Sequence, residues 1–224
     1  MLLRGSRLVG VGGLLAALCF LVGFLLDPTP PAAGASGSEV LAHAAQYQNS
    51  DRAAAFLFGL SGALLIVFLS GLRQHLSGSD QRSSWAPTAM IAGGVIAAVM
   101  LISTSALFFT LASQGTSIAP GSAVVVSDAV NYGFVFAGFG VIVFVPSAAS
   151  LMLHRQGAWR WLGRLGFFVS VLQIPYLDTA FFTSGAMRAG GVVSILGFAA
   201  VGVWIVAVSA VLLVSRASSA TAAP

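Results

Sequence analysis

Residues 88–112 read TAMIAGGVIAAVMLISTSALFFTLA, 25 residues without one charged side chain. As a helix this run rises about 37 Å at 1.5 Å per residue, more than the ~30 Å of a bilayer's hydrocarbon core. A helix that is apolar on every face belongs inside a large protein or inside lipid. Five further runs, at 8–26, 53–72, 130–153, 165–187 and 191–214, have comparable length and character. Lipid offers no partner to a backbone N–H or C=O, so each run must close its hydrogen bonds internally as a helix. The expected fold is an all-α membrane protein, a six-transmembrane-helix bundle. Residues 1–216 form one membrane domain, and 217–224, built from small residues, form a disordered tail. The fifth run is the least apolar and contains Pro175.

The whole chain agrees with that reading. Of its 224 residues 58% are hydrophobic and 7% charged, with a mean hydropathy of +0.96, where a soluble domain carries roughly 25% charged residues. The basic balance does not point to nucleic acid. All ten cations are arginine, no two are adjacent, and they form no stripe. Their placement sets the topology instead. Arg4 and Arg7 precede the first run, Arg73 and Arg82 follow the second, Arg155, Arg160 and Arg164 follow the fourth, and Arg216 follows the sixth. With six spans these eight fall on one side, leaving Arg52 and Arg188 on the other. The positive-inside rule then places both termini in the cytoplasm, with Trp85, Trp159 and Trp161 at the inner interface. The first run is too long for a signal-peptide core of roughly 7–15 residues and is expected to be retained. Cys19, the one cysteine, packs as a small hydrophobe.

Between the first two spans, Ser36 and Glu39 make a capping box that starts a short helix near Gly37. Val40, Leu41, Ala44 and Tyr47 lie on one side of it, so it should rest on the outer leaflet or cap the bundle. Residues 113–127 read as an uncharged outer loop. Phe56-x-Phe58-x-x-x-Gly62 matches Phe134-x-Phe136-x-x-x-Gly140, and Phe108-Phe109-Thr110 matches Phe181-Phe182-Thr183. These matches fit a duplicated hairpin, spans 2–3 and 4–5, or chance in a restricted alphabet. Ala55, Gly59 and Ala63 line one face of span 2, and Ala89, Gly93 and Ala97 one face of span 3, which suits close packing of that pair.

Asp178 is the residue with most chemical content. It reads as lying past the middle of the fifth span, where a charge is costly and calls for protein, water or a partner. A proton or cation site and a packing hydrogen bond both fit it. Gln173, Tyr176, Thr179 and Thr183 form a polar stripe on the same helix, and Asn131 at the outer end of span 4 is a candidate partner. None of His43, His75 and His154 falls inside a span, which leaves no transmembrane haem ligand pair. His75 and His154, with Asp80, fall short of a metal site. No cofactor or metal is therefore expected. Enzyme signatures are absent: there is no G-x-S-x-G elbow, H-E-x-x-H helix or phosphate loop.

Residues 40–72, a short outer helix leading through Tyr47 and Arg52 into span 2, together with Trp159-Arg160-Trp161-Leu162-Gly163, carry a resemblance. The chain resembles six-span bacterial membrane proteins grouped as a domain of unknown function and frequent in actinobacteria. That resemblance implies fold and membrane residence, not activity. The resulting expectation is a multi-pass protein of the bacterial cytoplasmic membrane, not an enzyme, acting as a partner, assembly or sensing module and open to a protein partner or self-association. A small-solute or proton-coupled transporter using Asp178 is the alternative.

Overall fold

The computed structural model describes residues 2–27, 31–76, 85–114, 117–182 and 185–214, with side chains from Leu8 onward. It is all-helical, with no strand among the described residues. Helix α1 spans Leu2–Leu26, α2 Gly37–Gln46, α3 Gln48–Leu76, α4 Ala86–Gln114, α5 Pro120–Leu153, α6 Ala158–Asp178 and α7 Val192–Val214, with a 3₁₀ turn at Thr179–Phe181 after α6. Five of them, α1, α3, α4, α5 and α7, are long and apolar enough to cross a membrane. The predicted tail and the Asp80–Arg82 loop lie outside the described residues.

The long helices pack in the cyclic order α1, α3, α4, α5, α6, α7 and back to α1. The short helix α2 lies over one end, against α5, α3 and α4. Its capping box is present: Glu39 N–H donates to Ser36 Oγ (3.3 Å), and Ser36 N–H donates to a Glu39 carboxylate oxygen (2.8 Å). Val40 and Ala44 are buried, and Val40 meets Leu111 and Ala123.

The opposite half of the bundle is a dense apolar layer. Phe68, Leu72, Met90 and Trp204 have no exposed surface, and Phe144 stacks edge-on to Trp204 at 5.6 Å. Arg155 Nη2 donates to the carbonyls of His75 (2.7 Å) and Leu76 (3.3 Å), satisfying orphan groups at the C-terminus of α3. Trp85 and Trp161 are exposed as expected at an interface, but Trp159 is buried and stacked on His75.

Helix boundaries and one helix pairing differ from the sequence expectation. The fifth run does not continue to Met187, because α6 ends at Asp178. Pro175 has no N–H to give the preceding turn. The Thr179 hydroxyl donates to the Tyr176 carbonyl (2.7 Å), and the chain then turns through Gly185 and Gly190 at positive φ. Helix α5 starts ten residues before the expected span, because Pro120 at its first position presets helical φ. The small-residue faces also pair differently. A Cβ on Gly93 would strike Phe144 N and Gly140 O of α5, at 2.6 and 2.7 Å, and one on Gly140 would strike the Ala97 backbone. Gly93 and Ala97 therefore serve the α4–α5 contact. Between α3 and α4 the close approaches are at Gly62, whose Cβ would meet Ile102 and the Ala98 carbonyl, and at Gly94, whose Cβ would strike Leu69; Gly59 faces Ser105 of α4 as expected, while Ala63 is exposed.

Of the matched phenylalanines, Phe109 and Phe182 are alike in exposure and the others are not. Phe56 and Phe136 are exposed while Phe58 is buried, and Phe108 is buried while Phe181 is exposed. The duplicated-hairpin pattern is thus not carried into the packing.

Candidate metal centre and apolar cavity

Between α1 and α2, the segment 31–35 runs beside α5. It is pinned to α5 at two points: Gly34 N–H donates to Asp128 Oδ1 (2.8 Å), and Asn131 Nδ2 donates to the Pro31 carbonyl (3.2 Å). Gly34 turns there at a φ of 79°, which a side chain disfavours. This routing brings three side chains together that are distant in sequence. Asp27 is the first residue past α1, His43 lies in the last turn of α2, and Asp51 lies in the first turn of α3.

His43 Nε2 lies 3.4 Å from Asp27 Oδ1 and 3.5 Å from Asp51 Oδ2. All three ligand atoms fall within 4.8 Å of one another. The Asp51 side chain is 2% exposed, and those of His43 and Asp27 are 13% and 11% exposed. Among the described residues, His43 Nε2, Asp27 Oδ1 and Asp51 Oδ1 have no hydrogen-bond partner. Buried polar atoms are ordinarily paired, and a charge-assisted N–H···O bond would be ~2.7–2.9 Å long. The observed spacings are too long for that bond. They match another geometry, since donors ~2.0–2.2 Å from a shared tetrahedral ion sit roughly 3.3–3.6 Å apart. Imidazole and carboxylate are both regular ligands for zinc-class ions. The residues therefore fit a divalent metal.

The electrostatics agree with a site that needs a cation. Burial pushes the Asp27 carboxyl up to about 6 from an ordinary 3.8, and Asp27 stands at the negative end of α1. The same burial pushes the His43 imidazole below its ordinary range, toward the neutral form that ligates metals. Tyr47 stacks on the His43 ring at 4.8 Å and fixes its plane.

Beneath the triad lies a cavity of about 100 Å³ with Asp27, His43 and Asp51 in its wall. Six phenylalanines line it, Phe20, Phe24, Phe58, Phe108, Phe134 and Phe198. Four of these close into a ring across α1, α3, α5 and α7. The centroid distances are 5.2 Å for Phe20–Phe58, 5.1 Å for Phe58–Phe134, 6.2 Å for Phe134–Phe198 and 5.1 Å for Phe198–Phe20. A second cavity of about 90 Å³ has Phe20 and Phe198 in its wall together with Ala16, Leu65, Ala97 and Val201. Phe20 and Phe198 of the aromatic ring thus stand in the walls of both chambers.

The residues singled out in the sequence fall in three places. Asn131 lines the cavity below the triad. Gln173, Tyr176 and Thr179 are buried between α6 and its neighbours. Gln173 Nε2 donates to the Gly197 carbonyl (3.0 Å), the Tyr176 hydroxyl donates to the Phe134 carbonyl, and Ser194 Oγ donates to Thr179 Oγ1 (3.3 Å). Asp178 is not inside the bundle. It is exposed at the end of α6, one residue round from buried Thr179, and no hydrogen bond or ion pair joins it to another described residue. The expected interior position fails because the helix ends there. Thr183 lies outside the described residues.

Sequence reading missed the Asp27–His43–Asp51 cluster. The signal available was density: three of the chain's six acidic residues and one of its three histidines lie within residues 27–51. No family model, curated protein or solved structure matches this chain.

Proposed function

We propose that this protein is a non-catalytic membrane module that binds one zinc-class divalent ion at the extracytoplasmic end of a six-span bundle, in a sensing or assembly role. The observation that carries the reading is the convergence of His43 Nε2 with two carboxylates around the nearly inaccessible Asp51, with His43 Nε2, Asp27 Oδ1 and Asp51 Oδ1 buried and without a hydrogen-bond partner among the described residues. The arginine asymmetry supports both termini in the cytoplasm of a bacterial cell and α6 as the sixth span, which puts α2 outside. A binding role is preferred to catalysis because the wall adds only Ser127, Asn131 and Ser194 as further polar groups among the described residues, with no second acid or base.

Passage of a small solute is the second reading, favoured by two chambers that share Phe20 and Phe198 as wall residues. The packed layer in the opposite half of the bundle favours binding over passage. Asp178, exposed at a helix end, gives that reading no intramembrane coupling group.

The test is thermal unfolding of the purified full-length chain with and without Zn²⁺. An ion at about 100 times its Kd should stabilise by about 2.7 kcal/mol. His43→Ala and Asp51→Asn should remove that gain. No stabilisation by Zn²⁺, Mn²⁺ or Co²⁺, or a gain that survives both substitutions, would overturn the assignment.

A further inference from the structure

The three protein ligands leave a four-coordinate ion one open position. The protein also places an apolar chamber against that position, because Asp27, His43 and Asp51 are themselves part of the cavity wall. Water alone would gain little from such a wall: Phe24, Phe58, Phe108, Leu111 and Val130 offer it no hydrogen bonds. A molecule with one donor atom and an apolar body would satisfy both surfaces.

Charge narrows the class of molecule. Two carboxylates balance a divalent ion when His43 binds as neutral imidazole, so the loaded site has no net charge. An anionic head would leave an uncompensated charge in a poorly solvated site, which is costly. Arg52 does not reach it, because it is not part of the cavity wall. An ammonium head offers a bound cation no lone pair. A neutral oxygen remains.

Size narrows it further. The chamber measures about 100 Å³, and an apolar cavity of about 150 Å³ holds a benzene-sized molecule. We propose, resting on the metal reading above, that the ion and the chamber together form a binding site for a short-chain neutral oxygen compound, an aliphatic alcohol or carbonyl of roughly four to six heavy atoms. The oxygen occupies the ion's open position and the chain lies over the phenylalanine ring.

The experiment uses the full-length chain in lipid nanodiscs, so that detergent tails do not compete for the chamber. Co²⁺ replaces zinc and reports its ligand field through its visible absorption. Aliphatic alcohols from ethanol to hexanol are titrated, with butyrate and butylamine alongside. The expected result is a band shift whose half-saturating concentration falls about fourfold per methylene until the chamber is full and then stops falling. Butyrate and butylamine should be weaker than butanol. Val130→Phe and Ala112→Leu, which fill the chamber, should keep the Co²⁺ band and lose the alcohol response. If either variant misfolds, its missing band shows it, and the wild-type chain-length series decides the question. A band indifferent to alcohols, a response without chain-length dependence, or butyrate acting below butanol overturns this inference and leaves the metal reading standing. A chain that takes up no Co²⁺ overturns both.

Discussion

Asp27 and Asp178 are both carboxylates at the C-terminal end of a helix, yet their surroundings give them opposite expectations. Asp27 is nearly covered, and burial holds its carboxyl at about 6 instead of 3.8. The folded chain therefore keeps a proton on Asp27 over a range where the unfolded chain has lost it. Folded-state proton binding exceeds unfolded-state binding there, so rising pH removes stability between those two values. Measured against Asp27→Asn, the metal-free wild type should lose on the order of 3 kcal/mol across that range. Saturating Zn²⁺ should abolish the loss. The comparison with Asp27→Asn matters because His43, displaced downward by the same burial, works in the opposite direction as its pH range is crossed. Denaturation midpoints of the two chains over a pH series read this directly, and parallel profiles would contradict it. Asp178 is exposed at the end of α6. Asp178→Asn and Asp178→Leu should each shift stability by less than about 0.5 kcal/mol, and a larger loss would mean the carboxylate is engaged after all.

At the scale of elements, the helices were legible because hydropathy integrates over twenty or more residues, and the capping box because its two partners are three residues apart. What stayed hidden depended on rotation and on ends. The stripe Ala89, Gly93, Ala97 announces a close contact without saying with which neighbour, and a helix face resolved only to a quarter turn cannot choose between α3 and α5. The triad was invisible for a related reason: Asp27, His43 and Asp51 belong to three different elements, and only the routing of the chain between α1 and α3 makes them neighbours. The α4–α5 seam yields a sharp prediction. Gly140→Leu would drive a side chain into the Ala97 backbone, and Gly93→Leu into that of Phe144 and Gly140. Each should destabilise by at least about 1–3 kcal/mol, the range for overpacking a core. Gly121, in the first turn of α5 with nothing within 4 Å of an added Cβ, should gain up to about 1 kcal/mol as Gly121→Ala. Thermal unfolding of the three variants should give losses for the first two and none for the third. Equal effects would mean that the seam is looser than its geometry.

For the molecule as a whole, the span count turns on α6, which is not among the five helices that meet a membrane span's length and apolarity. If it crosses, the count is even. A reporter fused after Val214 that is active only outside the cytoplasm should then stay silent, while the same reporter inserted between α2 and α3 should be active. Activity in the C-terminal fusion would leave α6 on the surface and reverse α7. The ring order described above bears on how such a chain is made. Along the sequence α1, α3, α4, α5, α6 and α7, each long helix packs on the one before it, so ribosomal synthesis delivers every helix beside its partner. The exception is the seam of α1 with α7, where Gly10 meets Leu213 and Gly13 meets Ser209. That seam can form only when the final helix has left the translocon. Until then α1 carries an uncovered glycine face, Phe20 lacks Phe198, and both chambers stand open along one side to the lipid. The last 23-residue helix is thus the stave that closes the barrel, and a chain stopped before Val192 should be recognised by membrane quality control as unfinished.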